Sequence, residues 1–215
     1  RLFVGKAGVT TAGRLGSGAI TNNGTLFFDH AGAYEIANGL NGYGNTFIRY
    51  GANLTVNGKV STNNVIRIAQ GSLSLVNGAS LCIPADFTVA DRQTVSYGVY
   101  PTNSPLVTNV TAIVNVADGC TLTVSSMTFG NGGDLPNGTM TGILNQVGGT
   151  VRTTGYTAEE NGVRLGHYPM TRSFYNMMGG TLIVGANYDL GCATDGQGWF
   201  NMSGGEVFTK RVMLN

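Results

Sequence analysis

The sequence predicts an all-β fold, a parallel β-solenoid in coils of about 25 residues with three short strands each. Four observations point there. Words of one pattern recur in one order: "LNQVGGTVRT" at 144–153, "YNMMGGTLIV" at 175–184 and "FNMSGGEVFT" at 200–209. Glycine supplies 34 of the 215 residues, about twice the usual ~7%. Eight Asn-Gly pairs punctuate the chain, and both residue types tolerate the positive φ of a tight turn. The runs between these turns alternate with period 2, which is the signature of a strand.

In the N-terminal half, 16–29, 49–61, 66–83 and 111–126 each read as strand, turn, strand. Gly24-Thr25-Leu26, Gly71-Ser72-Leu73 and Gly119-Cys120-Thr121-Leu122 resemble one another, as if each began a coil. Two stretches break the rhythm, 84–106 with three of the five prolines, and 130–139. Neither is long or polar enough for a linker, so 1–215 reads as a single β-solenoid domain with two irregular excursions.

In the C-terminal half the Gly-Gly pairs Gly148-Gly149, Gly179-Gly180 and Gly204-Gly205 are 31 and then 25 residues apart. At such a corner a Cβ would crowd the neighbouring coil or require a forbidden φ. Asn145, Asn176 and Asn201 precede the pairs and predict a ladder of stacked amides. Leu165, Leu190 and Leu214 keep a similar beat and predict a column of core leucines. Leu182, Val184 and Val207 share one face, with Thr181, Ile183, Glu206 and Phe208 on the other. Helix is excluded in its turn. No 3.6-residue stripe appears, and so many glycines would each cost about 1 kcal/mol in a helix.

Composition narrows the function classes. Charged residues are 11% and the net charge is +1, whereas a nucleic-acid binder needs a clustered basic surface. No apolar run is long enough to span a membrane. Cys82, Cys120 and Cys192 lack metal-ligand spacing and form no readable disulfide framework. Cys82, between two aliphatics, reads as a buried thiol. Glu159-Glu160 reads as a solvated turn and Asp29-His30 as an exposed strand end. His167 reads as a surface turn residue. "GNGGD" at 130–134 occurs once, without the period of a calcium repeat. Trp199 reads first as a plug at a corner of the coil and second as a platform for a sugar ring. Arg164, Asp189 and Lys210-Arg211 come nearest to the charged set that a polysaccharide lyase or hydrolase carries on one outer face. No catalytic group, cofactor or metal site is expected.

"GSGAITNNGTLFF" at 16–28 and the Gly-Gly-[Thr/Glu] units resemble the β-strand repeats of bacterial autotransporter passenger domains, loosely over 14–60 and 143–215. The resemblance implies a right-handed parallel β-helix exported to the cell surface. The 215 residues carry no Gly-Asp-Ser-Gly motif like that of some passengers, and none of them is expected to form their membrane barrel. The expectation is a structural or adhesive extracellular protein. The alternative is a protein that binds or cleaves polysaccharides on the same fold. "RLFVG" and "RVMLN" carry no capping pattern, so the end coils are expected to dock on further coils of a longer chain or head to tail on a second copy. The expected partners are thus the chain's own kind, by head-to-tail or lateral contact, and surface glycans.

Overall fold

The computed structural model of the protein describes residues 1–5, 16–91, 109–131, 138–155, 162–185, 189–192 and 196–213. These wind as a parallel β-solenoid of short strands with no helix. The chain visits three sheets in turn and lays each strand on its equivalent from the coil before. The first sheet has nine strands, from Leu2–Val4 to Arg211–Met213. The second has seven, from Gly32–Ile36 to Gln197–Met202, and the third six, from Val60–Thr62 to Glu206–Phe208. A short pair, Ile20–Thr21 with Leu40–Asn41, leads into the third sheet, where Leu40 N–H donates to Ser61 Oγ at 3.0 Å. Pairing is parallel in every sheet.

Alternation explains the strands. In Met140–Gln146 every second residue is buried, and Thr171–Met177 follows the same pattern around Thr171, Ser173, Tyr175 and Met177. Inward residues stack in columns such as Leu54, Leu73, Val114, Leu144 and Tyr175. Together they make one apolar core running from Val4 to Leu190. Each fully buried Leu or Val contributes about 1.5–3 kcal/mol over exposure.

Coil length is less regular than the C-terminal repeats imply. Stacked Asn53 and Ser72 are 19 residues apart, whereas Asn115, Asn145 and Asn176 follow at 30 and 31. The three Gly-x-Leu steps also do not begin equivalent coils. Leu26, Leu73 and Leu122 lie in the first, second and third sheet respectively. The expected excursion at 84–106 is narrower, because Asp86–Asp91 is a strand of the first sheet between Val65–Ile68 and Met127–Asn131. Gly130 and Asn131 close the latter strand. Of the two expected excursions, 92–106 and 132–137 lie outside the described residues.

The Gly-Gly corners join the second sheet to the third. Gly149, Gly180 and Gly205 have φ of 65°, 78° and 90°, the left-handed region that glycine occupies without penalty. A Cβ on Gly180 would overlap the Gly149 carbonyl oxygen, and one on Gly204 would sit 2.5 Å from Met178 O. Glycine carbonyls of these corners carry the stacking: Thr181 N–H donates to Gly149 O, and Glu206 N–H to Gly180 O, both at 2.9 Å. Thr181 and Glu206, each following a pair, therefore bond to the pair of the previous coil, while Thr150 bonds to Cys120 O at 2.8 Å. Buried Gln146 braces the corner from inside. Its Nε2 donates to Thr181 O at 3.1 Å and its Oε1 accepts from Tyr175 Oη at 2.7 Å. Burial holds the Tyr175 phenol well above its usual 10.0. Its contribution to stability is complete below pH 10 and is lost as pH climbs from there toward the raised folded value, since only the unfolded phenol ionises first. Tyr175→Phe is expected to cost about 1–3 kcal/mol, because Gln146 Oε1 loses its donor in a buried site. Urea unfolding followed by circular dichroism checks this.

The leucine column needs correction. Leu165 and Leu190 both face the core, but they are not stacked on each other. Val163 pairs with Leu190, Leu190 with Val212, and Leu165 with Cys192. The register is displaced by two residues, which keeps every side chain on its face. Leu214 lies outside the described residues. Leu190 is 3% exposed while its cover, Val212, is 57% exposed. Leu190→Ala is therefore expected at the low end of core truncations, about 2–3 kcal/mol. A loss under about 0.5 kcal/mol in the same urea assay would contradict the stacking.

Candidate ligand-binding face

The outward side chains of the second sheet form three parallel columns. One is the amide ladder. Asn201 Nδ2 donates to Asn176 Oδ1 and Asn176 Nδ2 to Asn145 Oδ1, both at 2.9 Å. Asn145 continues to Asn115 Oδ1 at 3.0 Å, and Asn115 to Ser74 Oγ at 3.1 Å. The ladder thus reaches two coils beyond the three asparagines that the Gly-Gly words mark. It stands on the outer surface, three residues before each Gly-Gly pair. Each amide keeps a second N–H outside these bonds, repeated once per coil.

The middle column runs from Ala33 through Asn53 and Ser72 and becomes a continuous apolar row at Ile113, Ile143, Phe174 and Trp199. Trp199 is not a corner plug. It points outward and is 38% exposed, with its indole stacked on the Phe174 ring at 4.7 Å and 7°. The rings lie along the solenoid axis, so their edges face the solvent. The third column holds Thr141, Arg172 and Gln197. Arg172 and Gln197, with Thr139, Met170, Thr171 and Gly196, line a cavity of about 280 Å³ at the margin of the sheet. No family model, curated protein or solved structure matches the chain.

Other singled-out residues sit apart from this face. Asp29 is not at an exposed strand end: it is buried, and Arg49 Nε and Nη2 donate to its two carboxylate oxygens at 2.6 Å each. The pair joins equivalent positions of consecutive coils, just past Phe28 and Ile48 of the first sheet. The Arg49 guanidinium lies 4.5 Å above the Phe27 ring, itself stacked between Phe3 and Phe47. A partly exposed pair follows on the same sheet, with Arg67 Nε donating to Asp86 Oδ2 at 2.7 Å. Cys82 is not the core thiol. It alternates outward between buried Leu81 and Ile83, whereas Cys120 is buried, and both are free. His167 lies 3.3 Å from Arg164 Nη1 and edge-on to Tyr168. Asp189 and Arg211 are backbone partners in the first sheet. Glu159-Glu160 falls outside the described residues, and so does most of "GNGGD". Among the described residues no three His, Cys, Asp or Glu side chains converge on one point.

Proposed function

We propose that the protein is a non-enzymatic structural or adhesive β-solenoid, working at the cell surface or outside the cell, with copies of itself as its main partner. The observation that carries this reading is the amide ladder. Its polar side chains are bonded to one another from coil to coil, in columns that stiffen a rod, and do not converge on a point where a reaction could be held. Low charge supports lateral contact, because 11% charged residues leave little repulsion between copies. The likeness of the repeats to autotransporter passengers supports the exported location. Light scattering between one and a hundred micromolar tests the assembly, and apparent mass should rise with concentration. A constant monomer mass over that range would overturn it.

A second reading, a polysaccharide-binding or polysaccharide-cleaving solenoid, is favoured by one specific observation. The Phe174–Trp199 stack faces outward beside polar columns on both sides. Product release from a polysaccharide panel would decide for cleavage and against the non-enzymatic reading.

A further inference from the structure

From Ile113 to Trp199 the middle column of the second sheet is an apolar ridge one side chain wide. Three steps of ~4.8 Å make it about 14 Å long. The amide ladder runs along one flank, and Arg172 and Gln197 stand on the other, both exposed. Arg172 makes no ion pair among the described residues. The one other charged side chain on the outward face of this sheet, Glu35, lies on its first strand and accepts from Asn57 Nδ2 at 2.7 Å.

We infer that this face binds an extended, uronate-bearing β-1,4-linked polysaccharide, laid along the solenoid axis with a carboxylate on the Arg172 guanidinium. The inference rests on the glycan reading of the same face. Shape argues against a second copy of the chain, since a ridge this narrow falls far short of the ~800 Å² per partner of a stable protein interface. Pitch argues against an extended peptide, whose ~3.4 Å rise per residue drifts out of step with the coils. In an extended β-1,4-linked chain each sugar advances by nearly one coil. Alternate sugars of such a chain are turned over, but each still meets an apolar ridge for a C–H face and a spare Asn N–H for a hydroxyl. Because the stacked rings offer edges, the ridge provides apolar cover and the flanks provide direction. The cavity beside Arg172 and Gln197 has room for one ring carrying the carboxylate. A guanidinium suits it, because its fork matches a carboxylate bidentately.

Trp199 is the single tryptophan of the chain, so its emission reports on this face alone. The test titrates the full chain with β-1,4-mannuronate oligomers of two to six sugars, read by Trp199 emission and by calorimetry. β-1,4-mannan oligomers of the same lengths serve as the neutral control. Affinity for mannuronate should rise from dimer to tetramer and then level off, with mannan at least tenfold weaker. Arg172→Gln, an exposed change whose folding circular dichroism verifies, should abolish that difference. No saturable response to the hexamer at millimolar concentration would overturn the inference. Equal affinity for acidic and neutral oligomers, or a preference that survives Arg172→Gln, would overturn it too. Light scattering on the same samples keeps the readings apart, because copies that associate yet ignore mannuronate leave the structural reading standing.

Discussion

Truncating Asp29 to alanine is expected to destabilise the protein by about 3–5 kcal/mol, the usual result of stranding one member of a buried ion pair. Arg49 is the largest fully buried side chain, at 0% exposure, and two of its nitrogens donate to Asp29 at 2.6 Å. Without the carboxylate the guanidinium must stay charged among Phe27, Tyr50 and the core. The pair need not be worth that much in itself. Desolvating two charges offsets most of their attraction, so Asp29→Leu combined with Arg49→Met should recover part of the loss. Urea unfolding of the two single variants and the double variant measures the difference. A loss below about 1 kcal/mol in Asp29→Ala would show that the guanidinium reaches water in the native state.

Gly180→Ala is expected to cost about 2–5 kcal/mol for two separable reasons. Its φ of 78° charges an L-residue roughly 1–2 kcal/mol. The added methyl would also run into the Gly149 carbonyl oxygen, and overpacking typically adds about 1–3 kcal/mol. That oxygen holds Thr181 N–H, so relief by movement weakens the bond between coils. Gly78→Ala isolates the first reason. Its φ is 74°, but nothing lies within 4 Å of its Cβ position, so it should lose only about 1–2 kcal/mol. Equal losses in thermal unfolding of the two variants would refute the crowding argument.

Features that recur once per coil were legible in the sequence. The Gly-Gly corners and the asparagine ladder repeat a geometric need at each turn, and a need of that kind leaves a word. The core leucines were harder. Val163 and Leu165 both point inward and sit two residues apart, so period-2 alternation is satisfied equally by either register. Only the backbone pairing of Val163 with Leu190 separates them. Asp29 reads as exposed from sequence because its partner is 20 residues away. The missed signal was the coil length itself, which places Phe28-Asp29 directly before Ile48-Arg49. The position of Trp199 is hidden from sequence for a related reason. As the only residue of its type it has no sequence echo, and its column partner on the preceding coil is Phe174.

The unequal coils carry a consequence for how such a chain can change over time. Asn53 stacks under Ser72 at 19 residues, whereas Asn115 sits 41 residues after Ser74, yet the columns continue without a slip. Extra residues between consecutive strands are therefore absorbed without disturbing the frame on either side. The entropy of a longer connection rises only with the logarithm of its length, about 0.6 kcal/mol per doubling. Insertion and deletion at those junctions are nearly neutral, while a single inserted residue inside a strand would invert every face that follows it. Descendants of this sequence can thus diversify by acquiring or losing whole segments at the junctions, long before substitution reaches the columns.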